Sequence, residues 1–99
     1  MIGHYEGADK LSIPAATYDL YVINLTGNVS GITLSSMPAL GTECNVILYA
    51  GDSERSVSMA CNDIYKTWNG EDITYNIPAN GYMKVNFLYD GELIWVRAL

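Results

Sequence analysis

The sequence predicts an all-β domain, an antiparallel β-sandwich of the jelly-roll or immunoglobulin-like kind with about seven strands. Three observations predict it: short apolar segments separated by turn residues about every 8 to 12 positions, the lack of a sustained helical period, and a hairpin signal at Asp90-Gly91. The chain has 99 residues and 49% apolar content, which suffices for one domain with its own core. A single open sheet would leave too much apolar area in water, so two facing layers are expected.

The N-terminal residues 1–16 show no sustained period of 2 or 3.6 and contain two glycines and a proline. This composition predicts an N-terminal arm, disordered in the free protein, in front of a β-sandwich domain spanning 17–99. An extended arm gains affinity through main-chain hydrogen bonds and alternate side-chain pockets on a partner. Its candidate anchors are its large apolar side chains, Ile2, Tyr5 and Leu11.

Two strands are predicted next, separated by a turn. Residues 17–25 are apolar in both alternating registers, which predicts a strand covered on both faces. Residues 26–28 are predicted to turn the chain, and 28–35 to form a shorter strand with a bulge at Gly31. Residues 36–42 are a connection.

The two cysteines fall in what looks like a further hairpin. Residues 44–50 and 56–61 read as strands around a turn at 51–54, a register that places Cys44 opposite Cys61 on the apolar face. Directly opposed positions approach the separation that a disulfide needs. Because a chain folded in a cytosol meets no oxidant, two reduced core thiols are expected.

The segment 62–72 is the longest without a strand pattern and is predicted to be an adaptable loop. The following segment, 73–77, alternates cleanly and reads as a strand. We prefer a five-residue loop from it to the strand at 82–89, which places Ile77 opposite Met83 and extends one apolar face. The alternative is a connection that crosses between two sheets.

The C-terminal hairpin joins 82–89 to 93–98 through a tight turn at Asp90-Gly91. This register places Phe87 opposite Ile94 on the core side. The other side is amphipathic, with the composition of a surface that meets a partner. The candidate subunit contacts are Leu88, Leu93 and Trp95 on that side, together with Tyr49.

The charge distribution argues against binding to nucleic acid or to a membrane. The formal net charge is −6, and the five basic residues are scattered, so they form no basic stripe. The chain also shows no secretory signal and no apolar segment long enough for a membrane span, so folding in a cytosol is expected.

No residue pattern predicts catalysis, a metal site or a cofactor. His4 is the single histidine, so one subunit offers neither a Ser-His pair nor a two-histidine metal site. The acidic pairs lie in predicted turns, where Asp and Glu are expected as solvated residues. The chain is therefore expected not to be an enzyme, and a small glycan hydrolase is only a third reading.

Aromatic residues are the enriched class with functional scope. Tyr65 and Trp68 in the long loop could stack on a sugar ring, which would make the chain a carbohydrate-binding module for a cell-surface glycan. The competing interpretation is that Trp68 plugs one end of the sandwich.

The segment Ile73-Thr-Tyr-Asn-Ile-Pro-Ala-Asn-Gly-Tyr82, followed by a strand, Asp90-Gly91 and a last strand, resembles the closing modules of bacteriophage virion proteins. Tail-fibre, head-fibre and capsid-decoration domains share this cadence, and the resemblance covers about residues 70–99. It implies a non-enzymatic virion component, assembled in the host cytoplasm, that forms a homo-oligomer, with a trimer favoured. It also implies attachment to the capsid protein through the arm at 1–16.

Overall fold

A computed structural model describes residues 2–67 and 70–98, and this part of the chain contains eight strands and no helix. The prediction of an all-β chain is confirmed. The strands are β1 (Ile2–Pro14), β2 (Leu20–Ser36), β3 (Glu43–Tyr49), β4 (Arg55–Met59), β5 (Tyr65–Thr67), β6 (Ile73–Ile77), β7 (Tyr82–Tyr89) and β8 (Ile94–Ala98).

The strands form one nearly closed, barrel-like mixed sheet instead of two separate antiparallel layers. Its order is β5-β8-β7-β3-β2-β4-β6, and β1 lies along the other edge of β2. The β2 strand is parallel to all three of its neighbours, β1, β3 and β4, whereas β7 is antiparallel to both β3 and β8. The expectation of a purely antiparallel sheet is therefore wrong. Parallel strands are usually covered on both faces, which agrees with the apolar character of both registers in the first half of β2.

The first two strands are long and must bend sharply. Ile2 lies beside Leu20, and Pro14 lies beside Ser36, yet only residues 15–19 connect Pro14 to Leu20. That connection spans at most about 20 Å, whereas a straight strand of this length would span about 40 Å. Each strand therefore turns a corner, and the shifts in register between Gly7 and Lys10 mark where β1 does so.

Beyond the corner, β2 continues where the sequence predicted a turn. Residues 26–28 lie inside the continuous strand β2, so the predicted turn is wrong. The register places Leu25 opposite Gly7 but Val29 opposite Asp9, which leaves the extra residues as a bulge. Gly27 and its neighbours thus bend the strand without reversing it.

The core consists of rows of side chains that run across the sheet from strand to strand. One row contains Gly3, Tyr21, Val46 and Val85, which are successive partners on β1, β2, β3 and β7 and are all buried. A Cβ atom at Gly3 would lie 2.8 Å from the ring of Tyr18 and 3.0 Å from that of Tyr21. The row therefore has room for a large aromatic ring on β2 only because β1 contributes a glycine.

The N-terminal residues belong to this core, so the prediction of an unstructured arm over 1–16 is wrong. Residues 2–14 form β1, and the side chains of Leu11 and Ile13 are buried in the main hydrophobic cluster. The hydroxyl of Tyr21 donates a hydrogen bond to the carbonyl oxygen of Pro14, which fixes the end of β1 against β2. The alternation of buried and exposed positions along β1 is hard to recognise in the sequence, because the glycines at positions 3 and 7 contribute no apolar side chain to it.

The predicted hairpin between the two cysteine-containing segments does not form. The β3 and β4 strands follow one another along the same edge of β2, with Val46 beside Tyr21 and Val57 beside Val29. Cys44 lies opposite Phe87 on β7, and Cys61 lies beyond the end of β4. Both thiols are free, but the pairing of Cys44 with Cys61 is wrong.

The strand β6 lies where the sequence predicted it, and the connection after it crosses between two parts of the sheet. Ile77 pairs with Arg55 on β4, whereas Met83 pairs with Leu48 on β3. The preferred five-residue hairpin is therefore wrong, and the connection crosses as in the alternative but within one sheet instead of between two. Asn80, with φ of 62°, and Gly81 form the crossing turn, where the N–H of Gly81 donates to the carbonyl of Pro78 at 2.8 Å.

The C-terminal hairpin forms with the predicted faces but with a shifted register. Phe87 lies opposite Val96, two residues beyond the predicted partner Ile94. The side chain of Asp90 accepts hydrogen bonds from the N–H groups of Glu92 and Leu93 at 2.9 and 2.7 Å, which stabilises a longer loop. A shift of two residues leaves each side chain on the same face of the sheet.

Candidate functional site: the free edge of β1

The outer edge of β1 is the longest unpaired strand edge among the described residues. One edge of β1 pairs with β2 from Ile2 to Pro14, and the other edge has no strand partner in the described part of the chain. A free edge presents unpaired N–H and C=O groups and is a ready template for another strand. The corner near Asp9, whose φ is 63°, divides this β1 edge into two arms, 2–7 and 10–13.

The side chains along the β1 edge alternate between two environments. Odd positions such as Gly3, Leu11 and Ile13 face the core, whereas the even positions Glu6 and Lys10 are exposed. A cavity of about 190 Å³ opens along β1, and its lining includes Glu6, Lys10, Leu11 and Ile13 together with Ile23 of β2. The edge therefore combines unpaired backbone, a cavity with both polar and apolar lining, and charged groups facing solvent.

The three predicted capsid anchors all lie on β1 but are not equivalent. Ile2 is 48% exposed and Tyr5 is 40% exposed, with the Tyr5 ring stacked on that of Tyr21 at 5.8 Å between centroids. Leu11 is only 7% exposed and packs in the core. Two anchors are therefore accessible to a partner, whereas Leu11 stabilises the fold.

The predicted oligomer contacts are divided between two ends of one face. Leu88 and Trp95 are cross-strand partners, and both are half-buried, as is Leu93. Tyr49 lies about six residues further along β3 than the partner of Leu88, or about 20 Å away, so it does not join this group. The indole N–H of Trp95 donates to the carboxylate of Asp90 at 2.8 Å, so Trp95 stabilises its own turn.

A second depression, which we call the Tyr65 groove, contains one predicted glycan-binding residue. It has a volume of about 390 Å³, and its polar lining side chains are Lys10, Ser30, Thr33, Asn62 and Tyr65. The Tyr65 hydroxyl accepts a hydrogen bond from the backbone N–H of Leu34 at 2.8 Å, and its half-buried ring packs against the core. Tyr65 is therefore held in place by the fold. The other predicted residue, Trp68, lies outside the described residues.

A third depression, which the sequence did not indicate, lies between β6 and the hairpin of β7 and β8. Tyr75 of β6 and Tyr82 of β7 flank a cleft of about 350 Å³ that also contacts Met83 and Ala98. Tyr75 lies opposite the buried Val57 on the inner side of its strand, yet it remains 48% exposed. The sequence signal for this depression is that Tyr75 occupies an inward-facing position in the alternation of β6.

Burial and hydrogen bonding shift the pKa values of a core thiol and of a turn carboxylate. Burial raises the pKa of the Cys44 thiol to about 11, and the nearby Asp19 adds to the effect. The pKa of Asp90 lies below its ordinary value because of hydrogen bonds from the Leu93 N–H, the Trp95 indole and the Glu92 N–H. Both of these pKa shifts are explained by packing and hydrogen bonding within the fold.

Within residues 2–67 and 70–98, no three metal-ligating side chains are grouped as a metal site would require. The same residues include no helix that is long and apolar enough to span a membrane. Comparison with protein-family models, with curated proteins and with solved structures gave no match to this chain.

Proposed function

We propose that this chain is a non-enzymatic structural component of a bacteriophage virion, a capsid-decoration or head-fibre protein. Its assembly surface is the β1 edge, to which an extended segment of a neighbouring virion subunit adds as a further strand. The observation that supports this most directly is the free 13-residue strand with exposed Ile2 and Tyr5 at one end. Strand addition obtains affinity from main-chain hydrogen bonds and specificity from alternate side chains.

In this proposal the N-terminal residues act as a preordered strand, whereas the sequence predicted a disordered arm. A disordered arm would pay the cost of ordering only when it binds, whereas β1 is already ordered by its pairing with β2. A preordered edge binds a partner strand with a smaller loss of conformational entropy. Attachment through β1 therefore needs no folding of residues 1–16, only the arrival of a complementary strand.

The test is binding of the purified protein to capsids that lack it, measured by co-sedimentation. The substitution Ile2→Lys places a charge at the exposed start of the edge and should reduce occupancy at least about tenfold. Ile64→Lys is the matched control, since Ile64 is 53% exposed and lies in the segment before β5. Equal occupancy for wild type and Ile2→Lys would exclude the β1 edge as the attachment surface.

A carbohydrate-binding module is the second candidate, and the Tyr65 groove supports it. The groove brings hydroxyl, amide and ammonium groups around one aromatic ring, a combination that suits a sugar. Gly31 lines the groove, and a Cβ atom there would meet nothing within 4 Å, so a large side chain could fill it without strain. Glycan binding on an array that is lost in Gly31→Trp but retained in Ser53→Trp, which places the same side chain in the exposed turn between β3 and β4, would favour this function over the first.

A further inference from the structure

We propose that the strand added to the β1 edge is β1 of a second copy, paired antiparallel about a two-fold axis through Ala8. This inference names the occupant of the β1 edge in the free protein, which the strand of a capsid subunit would replace on attachment, and it rests on the proposed function for its biological role. The free protein would then be a homodimer in which each edge covers the other. Such an isologous contact uses the same surface on both subunits and closes on itself.

The side chains of β1 are complementary to themselves in this register. With Ala8 at the centre, Glu6 of one copy lies opposite Lys10 of the other, and symmetry forms this pair twice. Glu6 and Lys10 are exposed, and neither has an ion-pair partner in the described part of the chain. Opposite charges that face each other across two strands stabilise the pairing, and like charges destabilise it.

The core-facing positions also match in this register. Tyr5 lies opposite Leu11, and Gly3 lies opposite Ile13, so a large side chain meets a glycine and an aromatic ring meets a leucine. All four positions keep their core-facing orientation, because the register pairs odd positions with odd positions. The cavity along β1 would be covered by the corresponding residues of the second copy.

Neighbouring registers are less favourable. Moving the centre to Gly7 places His4 opposite Lys10 and leaves Glu6 opposite Ala8, with no pair of opposite charges. Moving the centre to Asp9 places the two Asp9 side chains opposite each other, which brings like charges together. A slip by a single residue would pair core-facing with solvent-facing positions along the whole edge.

The bend of β1 is compatible with this symmetry. A two-fold axis through the corner places the arm 2–7 of one copy beside the arm 10–13 of the other, so the two corners coincide at the axis. The contact is thus two short antiparallel segments on either side of Ala8, and each subunit continues the sheet of the other.

A charge exchange tests the register. In Glu6→Lys, each Lys10 faces a lysine, and in Lys10→Glu, each Glu6 faces a glutamate, so either variant should raise the dimer dissociation constant roughly tenfold or more. The double variant Glu6→Lys/Lys10→Glu restores both pairs and should recover wild-type association. Glu92→Lys is the control, because it makes the same charge change in the exposed β7–β8 turn. Sedimentation velocity across the micromolar range provides the measurement.

A cross-link gives an independent measurement of the two-fold centre. Directly opposed antiparallel positions have Cα atoms about 4.5 to 5.5 Å apart, within the range for a disulfide. Ala8→Cys in a Cys61→Ser background should therefore form a covalent dimer under mild oxidation, whereas Ser53→Cys in the same background should not. Ser53 lies in the exposed turn between β3 and β4.

The possible outcomes distinguish a failure of the proposed dimer from a failure of the proposed function. A monomeric wild type at high concentration, or a double variant that stays as weak as the single variants, would overturn the dimer. If such a protein still bound capsids through Ile2, the assembly role would stand and a different virion subunit would occupy the edge. A dimer with the predicted charge response that never binds capsids would support the pairing and refute the virion role.

Discussion

The substitution Ile13→Ala measures how strongly β1 is integrated into the fold. The Ile13 side chain is 2% exposed and packs within the main hydrophobic cluster, next to Leu34 on β2. Removing its three outer carbons costs about 2.4 kcal/mol at roughly 0.8 kcal/mol for each buried carbon. The cavity left behind adds to this, so we expect a loss of about 3 kcal/mol in the free energy of unfolding, within the usual range for such a truncation.

The assay is urea and thermal unfolding followed by circular dichroism. For a domain of about 100 residues, a loss of this size lowers the Tm by about 12 to 24 °C. The control is Ile64→Ala, which truncates a 53% exposed isoleucine and should change the free energy of unfolding by less than about 0.5 kcal/mol. If Ile13→Ala matched this control, β1 would not be packed in the free protein, and the disordered arm predicted from sequence would be the correct description.

Three further predictions concern individual contacts. Tyr65→Phe should lower stability by about 1 to 3 kcal/mol, measured by urea unfolding, because the N–H of Leu34 loses its acceptor. The pKa of Asp90 is lowered in the folded state, so its stabilisation is complete above the ordinary value of 3.8 and is lost as the pH falls below it. The Tm difference between wild type and Asp90→Asn should therefore be present at pH 7 and shrink towards pH 2. Thiol labelling of the native protein at pH 8 should modify the half-buried Cys61 and spare Cys44, which should react only after unfolding.

Local patterns in the sequence were sufficient for the strands whose two faces differ clearly. The alternation over 73–77 and the two segments around Asp90 identified β6, β7 and β8 with the correct faces. The face of a side chain depends only on its parity along the strand, so Phe87 was placed in the core even though its partner was shifted by two residues. The loop conformation that caused the shift depends on side-chain hydrogen bonds to Asp90, which a pattern of apolar residues does not reveal.

Pairing between distant strands was not determined by these local patterns. The two cysteine segments look like a hairpin because antiparallel neighbours joined by a short turn are the commonest arrangement. In the protein, β2 is long enough to provide one edge for β3 and then, past its bulge, for β4, so both strands pair with β2. This pairing buries the apolar residues of three strands at once, which a local hairpin could not do.

The sequence by itself determined the all-β class, the segments that form most strands and the residues that face the core. The tertiary structure alone decided the path of residues 2–14, because glycines at 3 and 7 contribute no apolar side chain to a local pattern. The role of Gly3 becomes clear only beside Tyr21, whose ring needs the space that a Cβ at Gly3 would occupy. The same packing leaves one edge of β1 unpaired. The candidate assembly surface is thus a consequence of long-range pairing, which alternation along a single strand does not encode.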